Sequence, residues 1–585
     1  MFQRFIEEVY DILKTAIVDL GWDNEDLSID YYDKISDVSS SLAFKISKRD
    51  KKNPKKVAEE IYQRVYPLRD GYDLIGDIKL IGPYLNFYVS DKFISDTLKD
   101  VLTRTDNYGS LDYKGSIVLE HTSANPDGPL HIGHLRNSIL GDCLGRILKK
   151  AGYSVDIQYY VNDLGRQVAV VVWGIENLNL NVSDQRLLRY NFDADMIPQN
   201  IKVDHWISQV YINANRLIEE DNDTFGHNKK EIDILLKKFE DKDEDVIKKF
   251  DFVVVQCLKG IEQTLNDLDI HIDKYVRESQ FVFNGDVERI ISRLKDTEYA
   301  YYEDGALLLD LSSFGFEKDF VVTRGDGTSL YSTRDLAYHA WKAQRYEDMI
   351  DILGADHKLI SSQVKTVLKI LGYKEPIVVI FEFVSLPEGS MSTRGGRFIS
   401  VDELLDKMKR QAYFEVDERR QDLSEIEKKE IADMVAIGAV RYDIIKISPD
   451  KPTMFDWRDA LNFDKRGAPF IQYSHTRACS ILKKGGDYGK PNFDLLKDKN
   501  EIDLIKLISR YPLVIKEAAD NLRPNILANY SRELAEQFNQ FYKDVPVLNA
   551  ATEELRSARL ALVDAFRIVV KDSLNLLGIS SPKIM

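Results

Sequence analysis

Two histidines three residues apart, His131 and His134, with Gly133 between them, have the chemistry to hold a nucleotide. At a helix start, imidazoles at this spacing share one face and point where unpaired backbone N–H groups and the helix dipole favour a phosphate. Gly133 carries no Cβ, so an adenine ring or a phosphate can come close to the backbone there. The same spacing also fits two polar residues that open a helix and bind nothing.

Local patterning puts the pair at such a start. Ile117 to Glu120 reads as a buried strand and Asn125 to Pro129 as a turn. Leu135, Ile139, Leu140, Leu144, Ile147 and Leu148 then form the apolar stripe of an amphipathic helix. Tyr153 to Val161 is a second strand, followed by Asn162-Asp163-Leu164-Gly165-Arg166-Gln167 and another helix. Strand, helix, strand is the opening of a doubly wound α/β domain, whose ligands collect at the carboxyl ends of the strands.

Strand-like runs resume at Ala306 to Leu311, Phe320 to Val322, Met349 to Leu353 and Ile377 to Glu382. The last precedes Ser385 to Arg397, rich in glycine and hydroxyl groups, where a backbone nest with Arg394 and Arg397 suits a phosphate chain.

The remaining chain divides around this domain. Residues 1–112 look like a separate α/β domain, with strands expected near Leu42 to Ile46 and Tyr84 to Val89. Lys45, Lys48, Arg49, Lys51, Lys52, Lys55 and Lys56, broken only by Asp50, make its most basic segment. Clustered cations gain counterion-release energy on nucleic acid that dispersed ones do not. Residues 113–400 hold this doubly wound domain, with an insertion of charged helices at about 174–285. Residues 401–585 read as an α-helical bundle without strands.

At 585 residues with 44% hydrophobic composition, the chain has room for several sizeable cores. Its formal charge is −16, but a nucleic acid meets a local patch rather than the net charge. No apolar run approaches the ~20 residues of a membrane span, and the acidic amphipathic start is unlike a signal peptide, so a cytoplasmic location is expected. Cys143, Cys257 and Cys479 are scattered and lack C-x-x-C spacing, which argues against a disulfide framework or a zinc site.

The strand, turn and His131-Ile132-Gly133-His134 helix match the HIGH signature of class I aminoacyl-tRNA synthetases and of related nucleotidyltransferases. With Met391-Ser392-Thr393-Arg394-Gly395-Gly396 about 255 residues on, the chain resembles the synthetases, since the small nucleotidyltransferases are far too short. The segments EHTSANP, YYVNDLGRQ, SLYSTRDLAYH, LGADH, MSTRGGRFISVDELL and APFIQYSHTRACSIL, in that order, resemble arginyl-tRNA synthetases of archaeal type.

That resemblance implies a Rossmann-type parallel-sheet catalytic domain and a ligase that forms arginyl-adenylate from L-arginine and ATP, then transfers arginine to the terminal ribose of tRNA(Arg). The implied arginine ligands are Glu120, Asn125, Tyr331 and Asp335. Selecting a guanidinium over an ammonium calls for carboxylates and a hydroxyl in a planar, bidentate arrangement, and Tyr331 and Asp335 share a helix face at i, i+4. Pro129, His131, Gly133, His134, Asp356, His357, Met391, Ser392 and Thr393 are implied for ATP, with His131, His134, Ser392 and Arg394 catalytic and Mg²⁺ accompanying the triphosphate. No protein nucleophile and no protein-held metal are expected.

For tRNA the resemblance implies Lys48, Lys51 and Lys52 in the N-terminal domain, and Tyr473, Arg477, Tyr542 and the final Met585 in the helical domain that binds the anticodon. A monomer is expected. One departure stands out: the lysines of the family's KMSKS loop are replaced by Ser390 and Thr393, and the substitute three residues ahead of His131 is Gly128. Arg394 or Arg397 then has to carry the charge, and a tRNA-binding paralogue that has lost activation is the competing reading.

Overall fold

The computed structural model describes residues 1–22, 27–31, 36–178, 197–220, 227–385, 387, 399–462 and 465–585. The apolar runs of the central domain pair into one five-stranded parallel sheet in the order Ile377–Phe381, Asp348–Gly354, Ser116–Glu120, Ser154–Val161, Lys274–Arg277. The first of these strands in chain order, Ser116–Glu120, lies in the middle, with Leu119 opposite Ile350 on one side and Ile157 on the other. The order therefore reverses between Ser116–Glu120 and Asp348–Gly354, and a crevice opens at their carboxyl ends.

The helix Ile132–Ala151 buries Leu135, Ile139, Leu144, Ile147 and Leu148 between the sheet and the C-terminal helices, and Cys143 Sγ reaches the Leu577 carbonyl at 3.4 Å. Gly145 permits that approach: a Cβ there would stand 2.7 Å from Ile157 Cδ1. The helix stops at Gly152, whose φ of 111° lies in the left-handed region that glycine takes without strain.

Three sequence expectations need correction. Leu42 to Ile46 belongs to a helix, Leu42–Asp50, because Leu42, Ala43 and Ile46 face the core at helical spacing while Phe44 and Lys45 are exposed. The N-terminal sheet is instead built from Ile29–Asp30, Val38–Ser40, Tyr84–Val89 and Ile75–Ile81, all antiparallel.

The range 174–285 is not wholly an insertion. Lys274–Arg277 is the edge strand of the parallel sheet, too short and too charged to stand out from the helices before it. Those helices, Val203–Glu220, His227–Glu240 and Glu244–Asp267, pack beside Arg166–Asn177.

The C-terminal part is not free of strands either. Thr453–Met454 pairs in parallel with Val384–Ser385 and so joins the catalytic domain to the C-terminal helices. Of these, Ala468–Gly485, Lys499–Ser509, Tyr511–Asp520, Pro524–Asp544 and Glu553–Leu576 form the bundle. No helix among the described residues is long and apolar enough to cross a membrane.

Candidate active site

The crevice at the sheet switch point encloses about 1390 Å³. It is lined by Glu120, Asn125, His131, Gly133, His134, Tyr331, Asp335, Asp356 and His357, so residues separated by more than 200 positions meet in one cleft. Pro129 is the exception: it is buried beneath the turn and does not line the cleft. Met391, Ser392, Thr393 and Arg394 lie outside the described residues.

His131 is the N-cap of its helix. Its Nδ1 accepts from the Gly133 N–H at 3.1 Å, and His134 Nδ1 accepts from the His131 N–H at 3.4 Å. A capping box made of two imidazoles results, with the rings stacked 3.8 Å apart and 20° from parallel. Because each Nδ1 accepts a backbone proton, each neutral ring carries its own proton on Nε2. Burial keeps them neutral, lowering His131 and pushing His134 down to about 3, with His131 adding to the effect on His134. The helix thus offers two uncharged N–H donors beside its own N-terminus.

Glu120 ends its strand, and the chain turns sharply after it. Thr122 and Ser123 take φ of 70° and 37°, a conformation costly for residues with a Cβ and common at ligand sites. Asn137 Oδ1 holds the Thr122 N–H at 2.9 Å, while Ser123 Oγ donates to Glu120 Oε1 at 3.1 Å and accepts from the Tyr160 N–H.

Opposite Glu120, the helix Tyr331–Ala343 presents Tyr331, exposed in the cleft, and Asp335 one turn further on. Arg334, beside them, donates to the buried Glu278 at 3.1 Å. Burial raises the Glu278 carboxyl to about 7 despite that partner.

Several residues of this site escaped sequence reasoning. Ser123 lay inside the recognised EHTSANP segment, and Glu278 follows the overlooked edge strand. Arg136 follows the HIGH motif and is almost wholly buried. Its guanidinium donates to the carbonyls of Glu382 at 2.6 Å, Ser448 at 3.2 Å and Lys451 at 2.9 Å. Only its position on the apolar side of the helix could have shown its role.

The position ahead of the first histidine is sterically closed. A Cβ at Gly128 would stand 2.9 Å from the Ser208 Cβ of the inserted helices, so no lysine side chain can start there without displacement.

Away from the cleft, Lys48, Lys51 and Lys52 are exposed around the end of Leu42–Asp50, with Lys52 Nζ 5.2 Å from the Trp22 ring. In the bundle the Arg477 guanidinium lies 4.8 Å from the ring centres of both Tyr473 and Tyr542, each 44% exposed. Met585 is half-buried and its carbonyl accepts from Arg420 at 2.7 Å. The tail before it is pinned by His475 and Thr476, which contact the Pro582 carbonyl at 3.0 and 2.8 Å.

Comparison with known proteins covers every part of this architecture. Residues 97–457 match the family described as tRNA synthetases class I (R), catalytic domain. Residues 4–89 match the arginyl tRNA synthetase N terminal domain and residues 471–585 the DALR anticodon binding domain. The chain is 48% identical to the arginine–tRNA ligase of Methanothrix thermoacetophila and 44% identical to that of Archaeoglobus fulgidus, covering 100% and 99% of both partners respectively. Among solved structures, Thermus thermophilus arginyl-tRNA synthetase aligns over 100% of both chains with a TM-score of 0.82 at 27% identity.

Proposed function

The chain belongs to the arginyl-tRNA synthetase family, and from that premise we propose which of its residues carry out the family's reaction. It is an ATP-using ligase that joins L-arginine to tRNA. In our assignment Glu120 and Asp335 take the guanidinium, the Tyr331 hydroxyl supports it, and Asn125 takes the α-amino group.

Supporting this assignment, two carboxylates and a phenol hydroxyl line the same cleft as the histidine pair. A guanidinium can donate to both carboxylates in the plane of its fork, whereas an ammonium leaves one of them unpaired. Discrimination by unpaired buried acids reaches high ratios without a separate editing reaction.

ATP is assigned to the His131–His134 end, with Asp356 and His357 on the nucleotide side. In the first step an arginine carboxylate oxygen attacks the α-phosphorus in line, and the bond to the departing pyrophosphate breaks. The Nε2–H groups of His131 and His134 donate to phosphate oxygens as negative charge shifts, which needs no proton transfer from either ring. Mg²⁺ enters on the triphosphate as part of the substrate.

In the second step the terminal ribose of tRNA, through its 2′-hydroxyl, attacks the arginyl carbonyl and AMP leaves. Lys48, Lys51 and Lys52 are assigned to the tRNA backbone, and Tyr473, Arg477, Tyr542 and Met585 to the anticodon end. The same reading takes the enzyme as a cytoplasmic monomer that needs bound tRNA(Arg) to activate arginine. Ser392 and Arg394 are proposed for the pyrophosphate.

The test is arginine-dependent ATP–pyrophosphate exchange with and without tRNA(Arg), and with lysine in place of arginine. Exchange that requires arginine and appears only with tRNA is the expected result. Exchange at full rate without tRNA would remove the tRNA dependence; none under any condition would show that replacing the loop lysines has cost activation.

A further inference from the structure

Directly beneath the cleft lies a closed set of charges. Lys342, on the same helix as Tyr331 and Asp335 but fully buried, places Nζ 2.9 Å from Glu120 Oε2 and 2.8 Å from Asp351 Oδ1. His339 stands between the next pair, with Nε2 2.8 Å from Asp351 Oδ2 and Nδ1 3.2 Å from Asp335 Oδ1. The lysine ammonium also lies 4.2 Å from the Tyr338 ring centre. Glu120, Asp351 and His339 are close enough to bind a cation together, but Lys342 already contributes a positive charge to both carboxylates.

We propose that Lys342 is a positioning residue for amino-acid selection, holding Glu120 ionised and fixed in direction so that it can accept a guanidinium. The inference rests on the assignment of Glu120 to arginine made above. Three carboxylates, Glu120, Asp335 and Asp351, converge under one cleft, and like charges this close cannot all ionise without cations between them. Burial pushes Glu120 up; Lys342 pulls it down, Asp351 and Asp335 add to the rise and His339 opposes them, which leaves the carboxyl above its ordinary value but lower than it would stand without the ammonium. Tyr160 and Tyr338 are the other titratable side chains facing it, and burial together with these carboxylates keeps both phenols protonated.

The two oxygens of Glu120 are already tethered, Oε2 by Lys342 and Oε1 by Ser123. Each retains an accepting lone pair. The carboxylate therefore reaches the substrate with its plane set in advance, and Asp351, which does not line the cleft, completes the charge balance from below. His339 Nδ1 donates to the main-chain carbonyl of Asp335 at 2.9 Å and faces its Oδ1 at 3.2 Å. Burial and Lys342 push His339 down, but Asp335 and Asp351 outweigh them and raise it to about 10, so it is a cation alongside Lys342.

The experiment is the pH profile of the KM for arginine in pyrophosphate exchange, at saturating ATP and tRNA(Arg), for wild type, Glu120→Gln, Lys342→Met and Asp351→Asn, with the KM for ATP and thermal unfolding recorded in parallel. Arginine binding needs ionised Glu120, so in wild type the KM rises as pH falls through its pKa. Lys342→Met should move that limb to higher pH, raising the KM on the order of tenfold for each unit the pKa rises above the assay pH. Asp351→Asn removes a negative neighbour but leaves the ammonium, so the limb should move to lower pH.

Opposite shifts with an unchanged KM for ATP are the expected result, since a purely structural lesion would move both variants the same way. If Lys342→Met does not fold, the direction of the Asp351→Asn shift decides. Limbs that stay put, or move together, overturn the role of Lys342 provided Glu120→Gln raises the arginine KM and abolishes the limb. If Glu120→Gln leaves the arginine KM unchanged, the assignment of Glu120 itself has failed, and the Lys342 proposal falls with it.

Discussion

Arg136 Nη1 donates to the main-chain carbonyl of Glu382 at 2.6 Å. A residue of the helix that opens at the cleft thereby holds the strand end from which the Ser-Met-Ser-Thr-Arg segment departs. The far side of that segment is tied to the same turn: the Val401 N–H donates to the Leu130 carbonyl at 2.8 Å, and Ser400 bridges His131. Both flanks of residues 386–398 are therefore tied to Leu130, His131 and Arg136, around the opening of the histidine helix.

Removing Arg136 should loosen that registration. Arg136→Ala strands several buried carbonyls, each costing about 1–3 kcal/mol, so chemical denaturation should show a loss of about 3 kcal/mol or more. At saturating arginine the activation rate should fall by about tenfold or more, as when an electrostatic stabiliser is misplaced. A variant as stable and as fast as wild type would show that the flanks hold themselves.

Specificity should respond separately to the two limbs of the arginine pocket. Asp335→Asn keeps the shape but removes one charge from the pair with Glu120, and should raise the KM for arginine by about 10²-fold. Tyr331→Phe, at an exposed position, should cost about tenfold or less. Steady-state exchange with arginine and with lysine checks both, and the arginine-to-lysine ratio should fall far more for Asp335→Asn. An equal effect of the two variants would place the guanidinium elsewhere.

The catalytic sheet and the histidine pair were legible because their signals are local. A buried apolar run reads as strand and an i, i+3 histidine pair reads as a helix opening, while Glu120, Tyr331 and Asp335 are singled out through the family resemblance that the EHTSANP and SLYSTRDLAYH segments carry. What stayed hidden depends on long-range contact. Lys342 looks like a solvated helix residue until its helix is seen to lie across Glu120 and Asp351. The edge strand Lys274–Arg277 is held by pairing with Ser154–Val161, because its own charged sequence carries little strand signal. Leu42 to Ile46 misled for the opposite reason: five residues are too few to separate a period of two from one of 3.6.

Three buried histidines give the fold an acid limb. Burial pushes His121 and His475 down to about 4 and His134 down to about 3. A basic group depressed by folding binds fewer protons than the unfolded chain below its ordinary pKa of ~6.5. Stability therefore falls as pH drops from ~6.5 towards 4, with Asp127 and Glu278, raised to about 6 and about 7 by burial, and His339, raised to about 10 by its carboxylate neighbours, partly opposing it. His121, whose Nε2 is buried without a partner, contributes its depression cleanly. His121→Asn should shrink the stability difference between pH ~7 and ~5 by about 2 kcal/mol. Denaturant titrations at both pH values measure it, and an undiminished difference would assign the limb to other groups.

Recognition at the far end of the molecule should differ in kind from that at the basic N-terminal segment. Tyr473 and Tyr542 are held on either side of Arg477, whose guanidinium is fixed in turn by Asn539 and leaves both rings half-exposed. Stacking of unpaired bases on such rings is worth about 1–3 kcal/mol per base and depends little on salt. Tyr542→Ala should therefore raise the KM for tRNA(Arg) by about 5- to 150-fold, Tyr542→Phe should change it little, and neither should alter the salt slope of binding. Replacing Lys48, Lys51 and Lys52 together should weaken binding less at high salt than at low, reducing the slope by up to about 0.7–0.9 per lysine that contacts a phosphate. Fluorescence titration of tRNA(Arg) across a salt series separates the two. A changed slope for Tyr542→Ala, or an unchanged one for the lysine variant, would mean that the aromatic cluster and the basic segment do not divide base and backbone contacts in this way.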